Sequence, residues 1–173
     1  IHLVAKDPVS LKGEWHSLFH RRGTPLHLEI GCGKGAFITG IAAAHPDIDF
    51  IAIECVKNVI VTALEKTRDA ALNNIRFING NASLLPDFFA SGEIDRIYLN
   101  FSDPWPRKKQ AKHRLTHPSF LNSYREILSP YGFIIQKTDN RALFDYSIDS
   151  FTENGWKLSN VTYDLHNAGD GTP

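Results

Sequence analysis

A glycine-rich stretch with an acidic residue in front of its glycines occupies residues 28–35, where the sequence reads LEIGCGKG. Glycines such as Gly31 and Gly33 permit positive φ and allow a ligand to approach the backbone closely. Ligands of open α/β sheets bind in the crevice beyond the carboxyl ends of the strands. At the end of the next apolar run stands Glu54, whose carboxylate can accept both hydroxyls of a ribose, although a solvated strand end is the alternative. These residues predict a site for a nucleoside-containing cofactor.

Two kinds of nucleoside cofactor fit the glycines, because Gly31, Gly33 and Ala36 also satisfy the dinucleotide pattern G-x-G-x-x-G/A. The pyrophosphate of a dinucleotide binds backbone N–H groups at a helix N-terminus, and the carboxylate of Glu29 would repel it there. S-adenosyl-L-methionine instead carries a positively charged ammonium and a sulfonium. Glu29 therefore favours a methyltransferase over a dehydrogenase, unless its carboxylate simply pairs with Lys34.

Asn81 is a third candidate contact to a cofactor and follows the third apolar run, in the sequence NGNA at residues 79–82. In such folds the loop after the third strand meets the adenine ring, and the Asn81 amide can hydrogen-bond the edge of that ring. Asn and Gly are also the usual residues of a plain turn, so spacing alone leaves both interpretations open.

The sequence FSDPWP at residues 101–106 ends the fourth apolar run, beside the same predicted crevice. Its prolines restrict the backbone, and Asp103 supplies an acceptor where cofactor and substrate would meet. Trp105 either stacks on a base or packs against the sheet. The motif predicts a substrate site next to the cofactor.

Residues 107–114, with the sequence RKKQAKHR, carry five formal positive charges in a chain whose formal net charge is zero. Phosphate binding requires such a local patch here, because a neutral molecule has no overall basic field to attract a polyanion. A solvated charged loop is the alternative, but the patch directly follows the proline-braced tryptophan. RNA is therefore the predicted partner, with contacts assigned to Lys109, Lys112, His113 and Arg114.

Asp139 follows the fifth apolar run and lies on the same rim of the predicted sheet. Its carboxylate can accept hydrogen bonds from the amino and imino edge of a guanine. It can equally cap the helix that begins near Arg141. The sequence does not choose between these two roles.

Short β-rich runs alternate with amphipathic helical stretches along the chain, which is typical of parallel strands joined by helical crossovers. The rhythm predicts an α/β fold, a mostly parallel sheet with helices on both faces. Residues 129–132 are predicted to form a turn, and residues 1–24 a helical appendage outside the sheet. The predicted strands are 26–30, 49–54, 75–78, 96–101, 133–138 and 156–163, and the predicted helices are 36–44, 57–72, 118–128 and 141–153.

The 173 residues are 42% hydrophobic and 22% charged, which predicts a single domain over residues 1–173. No apolar stretch approaches the length of a bilayer span, and the first residues lack an initiator Met and the features of a signal peptide. Two cysteines, Cys32 and Cys55, are too few for a disulfide scaffold and are predicted to be buried. We expect a cytoplasmic protein without a metal or membrane partner, whose native termini are incomplete.

The motifs together resemble the tRNA (guanine-N7)-methyltransferases of the bacterial TrmB type. The resemblance covers about residues 26–165 and rests on LEIGCGKG, residues 53–54 (IE), residues 80–82 (GNA), FSDPWP and residues 137–139 (KTD). It implies a Rossmann-like class I fold that uses S-adenosyl-L-methionine to methylate N7 of a guanine in the variable loop of tRNA. A methyltransferase of this fold that acts on another RNA or on a small molecule is the alternative, and a non-catalytic RNA-binding subunit is a further one.

The resemblance also implies roles for individual residues. Asp103 is implied as the active-site residue, and Arg107 and Asp139 as contacts to the substrate. The implied contacts to S-adenosyl-L-methionine are Glu29, Glu54, Asn81 and Asp103, which join the turn glycines Gly31 and Gly33.

Three departures from the family pattern are visible. Arg107 stands where the family usually has lysine, which keeps the charge but changes its geometry. The basic residues after it are rearranged relative to the family. The patch of positive charge is retained, but the roles of its individual residues cannot be carried over one by one. The chain ends at residues 167–173 without the T-x-Y-E-like segment that contributes to the guanosine site in the family. The sequence is compatible with a monomer or a homodimer.

Overall fold

The computed structural model describes residues 2–19 and 23–164. Its centre is a five-stranded parallel sheet with the strand order β3-β2-β1-β4-β5. The strands are β1 Leu26–Ile30, β2 Asp49–Glu54, β3 Ile75–Asn79, β4 Ile94–Asn100 and β5 Leu128–Lys137. The α-helices are α1 Ala36–Ala44, α2 Lys57–Asp69, α3 Leu85–Phe88, α4 Pro118–Ile127 and α5 Arg141–Glu153. The predicted α/β fold class is confirmed.

Helices cover both faces of the sheet. Successive strand residues point to opposite faces, so the strands contribute side chains to two core clusters. One core cluster joins strand residues such as Phe50 and Phe77 to Ile38 of α1 and Ile60 of α2. The other joins strand residues such as Leu28, Ile51 and Ile97 to residues of the later helices, among them Phe88 of α3, Leu121 of α4 and Phe151 of α5. The central strands β1 and β2 are buried along their full lengths.

The strand order reverses between β1 and β4. From β1 the chain continues outward to β2 and β3, then returns to place β4 on the other side of β1. Open α/β sheets bind ligands at such a switch point, beyond the carboxyl ends of the two strands. The glycine turn follows β1 and the FSDPWP loop follows β4, so both motifs lie at this position.

The described part of the segment before β1 is not a continuous helix outside the sheet. It forms two short 3-10 helices, Val9–Leu11 and Trp15–Leu18, on either side of Gly13, which has a φ of 81°. Trp15 is fully buried, and its indole Nε1 donates to the Phe88 carbonyl at 2.8 Å. A parallel bridge between Val4 and Phe77 also attaches the segment to the edge of β3. The predicted domain extent, residues 1–173, stays a prediction.

The predicted strand at residues 156–163 is wrong, because the structure has no strand there. Its aromatic side chains pack on helices instead. The Trp156 ring lies 5.9 Å from that of Phe151, and the Tyr163 hydroxyl donates to Asp145 of α5 at 3.1 Å. The end of the chain at residues 167–173, where the sequence departs from the family pattern, lies outside the described residues.

Two smaller expectations also change. The turn predicted at residues 129–132 is an irregularity inside β5, where Ile94 pairs with Leu128 and Arg96 with Phe133. Cys32 is buried as predicted, but Cys55 is exposed because it lies one residue beyond the end of β2. Within the described residues, no helix is long and apolar enough to cross a membrane.

Candidate functional site

The glycine turn connects β1 to α1 through three positive-φ residues. Gly31, Gly33 and Gly35 have φ values of 75°, 55° and 76°, a region that glycine adopts without the steric cost of a Cβ. The Gly31 N–H donates to the Ile53 carbonyl at 2.9 Å and ties the start of the turn to β2. The backbone therefore forms a tight turn at the switch point.

Glu54 ends β2 and is held by this turn. Its carboxylate accepts from the Gly33 N–H at 3.0 Å and from the Val56 N–H at 2.9 Å, and the residue is 9% exposed. This burial argues against a merely solvated strand end. An ionised carboxylate has about four acceptor positions, so Glu54 keeps capacity for hydroxyl donors beside Gly33.

Glu29 is the most unusual ionisable group of the site. It lies within β1, is 2% exposed, and its burial raises the pKa of the carboxyl from 4.5 to about 7. Asn100, the last residue of β4, donates to Glu29 Oε1 at 3.3 Å. Lys34 is exposed, and no ion pair joins it to Glu29 within the described residues, so the pairing alternative is not supported.

In the hydrogen-bonded pair Glu29 and Asn100, two buried acceptor oxygens lack a donor in the described part of the chain, Glu29 Oε2 and Asn100 Oδ1. Buried polar atoms are nearly always hydrogen-bonded in folded proteins. A cationic donor such as an ammonium would satisfy both oxygens and would stabilise the charged form of Glu29. The residues present therefore fit S-adenosyl-L-methionine, and they do not fit an anionic pyrophosphate. The sequence alone does not identify Asn100 as a site residue, because a lone asparagine at a strand end belongs to no motif.

Asn81 lies in the loop after β3, where the Gly80 N–H donates to the Glu54 carbonyl at 3.1 Å. Its side-chain oxygen accepts from the Ser83 N–H at 2.9 Å and caps a 3-10 helix at Ala82–Leu84. The turn interpretation of Asn81 is therefore supported, while its amide NH₂ can still serve a ligand.

The loop after β4 forms an open pocket of about 440 Å³. Asp103 and Arg107 both line this pocket, so the predicted catalytic residue and the predicted substrate contact are brought together. Phe101 and Trp105 have positive φ values of 50° and 44°, which is uncommon for bulky residues and marks a constrained backbone. The other lining residues are Pro104, Trp105, Pro106 and Gln110.

The basic block follows as a 3-10 helix, Lys108–His113. Lys109, Lys112 and His113 are exposed, as an RNA contact requires, and the His113 ring lies 5.0 Å from the ring of Trp105. Arg114 differs from them because it is half-buried and its guanidinium donates to the carbonyls of Pro104 and Trp105.

Asp139 is exposed just beyond the end of β5. The cap of α5 is its neighbour Asn140, whose side-chain oxygen accepts from the Leu143 N–H at 2.9 Å. The helix-cap interpretation of Asp139 is therefore wrong, and its carboxylate is available to a ligand.

Known proteins show where this chain belongs. The sequence profile of a family described as "Putative methyltransferase" matches residues 23–168. The tRNA (guanine-N(7)-)-methyltransferase of Bacillus licheniformis is 50% identical over 165 residues, which cover 95% of this chain and 77% of that protein. The enzyme of the same name from Bacillus subtilis is 47% identical over 166 residues, covering 96% of this chain and 78% of that protein.

Solved structures agree on the fold. The crystal structure of TrmN from Thermus thermophilus superposes with a TM-score of 0.58 and 26% identity, over 72% of this chain and 37% of that one. The relatives confirm the resemblance seen in the motifs, and the sequence profile and the fold agree with it. The chain belongs to the family of tRNA (guanine-N(7)-)-methyltransferases.

Proposed function

We propose that this chain transfers a methyl group from S-adenosyl-L-methionine to N7 of a guanine in the variable loop of tRNA. The observation that carries the proposal is the unpartnered acceptor pair, Glu29 Oε2 and Asn100 Oδ1, at the switch point from which the Asp103 loop begins. Membership of the family supplies the reaction class, since the relatives are named for tRNA guanine-N7 methylation.

The cofactor contacts are assigned to the acceptors around the switch point. Glu29 and Asn100 would accept from the ammonium, Glu54 would accept from the ribose hydroxyls, and the Asn81 amide would hydrogen-bond the adenine. Gly31 and Gly33 leave room for the ligand along the backbone. When bound, S-adenosyl-L-methionine supplies the methyl group on its positively charged sulfur.

The reaction requires alignment more than proton transfer. Guanine N7 carries an in-plane lone pair that is unprotonated at neutral pH, so no general base is needed to create the nucleophile. The protein must hold N7 in line with the methyl group, which is catalysis by positioning and electrostatics. Asp103 acts as the orienting acceptor beside the reacting atoms, and Asp139, which is free of helix capping, reads the amino and imino edge of the guanine.

Phosphate contacts are assigned to the exposed cations of the basic block. Lys109 and Lys112 provide flexible point charges, His113 stands beside them, and Arg107 reaches the substrate from the pocket that also holds Asp103. A tRNA substrate implies a cytoplasmic enzyme, which we propose to act as a monomer or a homodimer.

The decisive experiment is transfer of a labelled methyl group from S-adenosyl-L-methionine to unmodified bulk tRNA, followed by nucleoside analysis. We expect 7-methylguanosine from the wild-type chain. Asp103→Asn should lower turnover by roughly 10²-fold or more, a typical cost of a misplaced reacting group, with an unchanged circular dichroism spectrum. Asp69→Asn, an exposed aspartate in α2, is the matched control.

Two outcomes would contradict the proposal. If the cofactor binds but tRNA is not labelled, the chain acts on another RNA or on a small molecule. If Asp103→Asn keeps full turnover, Asp103 does not orient the reacting atoms.

A further inference from the structure

Arg114 ends the basic block but does not present its charge to solvent as the lysines before it do. Its Nε donates to the Pro104 carbonyl at 3.1 Å and to the Trp105 carbonyl at 3.3 Å, and its Nη2 donates to the Trp105 carbonyl at 3.0 Å. These bonds close the FSDPWP loop onto the end of the segment that follows it. A guanidinium engaged in this way has fewer N–H groups left for a phosphate.

A face of the same guanidinium contacts α5. The Arg114 Cζ lies 4.3 Å from the centroid of the Tyr146 ring, within the range of a cation–π contact. Arg114 thus lies between the loop after β4 and the helix after β5. A planar guanidinium can stack and donate in its plane at the same time, whereas a lysine ammonium cannot.

The backbone that Arg114 holds is strained. Trp105 has a φ of 44°, in the left-handed region that bulky residues avoid. Such conformations persist only where the surroundings hold them, and they cluster at functional sites. The two carbonyls that accept from Arg114 belong to Pro104 and Trp105, which line the same pocket as Asp103.

We propose that Arg114 is a positioning residue for methyl transfer, which fixes the Trp105 turn and through it the orientation of Asp103, instead of an RNA phosphate contact. This inference rests on the proposed function and replaces the expectation that Arg114 binds RNA. The contact with Tyr146 makes α5 the support of this loop.

The test compares Arg114→Lys and Arg114→Gln with Lys112→Gln, which removes an exposed cation from the same block. For each protein we would measure kcat and KM, the salt dependence of tRNA binding, and the indole N–H NMR signal of Trp105. The control is Arg68→Lys, an exposed arginine in α2 away from the pocket.

We expect Arg114→Lys to lower kcat by roughly 10²-fold and to shift the Trp105 signal, while the slope of log affinity against log salt stays unchanged. Lys112→Gln should instead reduce that slope by about 0.7 to 0.9, the loss of one phosphate contact, without moving the Trp105 signal. Tyr146→Leu, which leaves Arg114 in place, should reproduce part of the kcat loss and of the Trp105 shift.

The inference is overturned if Arg114→Lys preserves kcat and the Trp105 signal, or if Arg114→Gln lowers the salt slope as Lys112→Gln does. The Trp105 signal and the salt slope do not depend on turnover. A wild-type chain that fails to methylate tRNA would therefore refute the proposed function and leave the positioning contact separately measurable.

Discussion

At the scale of single residues, the buried carboxyl of Glu29 would serve cofactor binding but lowers the free energy of unfolding of the protein without cofactor. Its pKa is raised from 4.5 to about 7 by burial, so the folded protein holds a proton that the unfolded chain has released between those pH values. The free energy of unfolding therefore falls as pH rises from about 4.5 to about 7, and the loss persists at higher pH.

We expect Glu29→Gln to remove this loss. Without cofactor, the variant should be more stable than the wild type at pH 8 by on the order of 1–3 kcal/mol, with a smaller difference at pH 5, while its affinity for S-adenosyl-L-methionine falls sharply. Urea unfolding at the two pH values measures the first effect and titration calorimetry the second. Glu65→Gln, on an exposed position of α2, is the control. Identical pH dependence in Glu29→Gln and the wild type would contradict the assignment.

At the scale of elements, the start of α1 depends on one close approach to α2. A Cβ on Gly35 would lie 2.6 Å from the Cβ of Ala63 and 2.9 Å from its Cα, and Gly35 has a φ of 76°. Both the contact and the conformation exclude a side chain. The glycine that brings the helices together thereby also fixes the turn that faces the cofactor.

We expect Gly35→Ala to lower the free energy of unfolding by about 2 kcal/mol or more, because overpacking and an unfavourable φ act together. Gly40→Ala is a matched control inside α1, since a Cβ on Gly40 would meet nothing within 4 Å beyond its neighbours and the backbone of its own helix, and its φ is not positive. It should raise stability by about 0.5–1 kcal/mol. Denaturant unfolding of both variants measures the difference, and equal effects would show that the contact with α2 is not limiting.

Most of the strands and helices could be predicted from the sequence. The strands β1 to β4 are short runs rich in apolar and β-branched residues, and the glycines and prolines around them mark their ends, so the sheet and the cofactor turn follow from local pattern. The strand expected at residues 156–163 does not form, because Trp156 and Tyr163 gain more from packing on helices than local alternation reveals. The first segment is broken into 3-10 turns by Pro8 and Gly13, which outweigh its helical spacing.

Side-chain roles that depend on distant partners are harder to predict. Arg114 resembles one more cation of a basic block until the carbonyls of Pro104 and Trp105 and the ring of Tyr146 are seen around it. Asn100 acquires a role only because parallel pairing brings the end of β4 beside β1. Both contacts depend on how the chain folds back on itself, and no local spacing encodes them.

At the scale of the whole molecule, the site lies where the two halves of the sheet meet. Glu29 is on β1, Glu54 on β2 and Asn100 on β4, so one ligand would contact strands on both sides of the switch point. Such a ligand binds only the folded chain, and it stabilises the protein by mass action.

We expect S-adenosyl-L-methionine at 100 times its Kd to raise the free energy of unfolding by about 2.7 kcal/mol, which corresponds to roughly 5–10 °C in Tm for a chain of this size. NAD at the same concentration should leave Tm unchanged at pH 8, because Glu29, whose pKa is about 7, is ionised there and its carboxylate repels a pyrophosphate. Differential scanning calorimetry measures both shifts, with Glu29→Gln as the variant that should lose the first. A rise in Tm with NAD would instead indicate a dinucleotide site, since the glycine turn would then bind an anion beside the buried carboxyl group of Glu29.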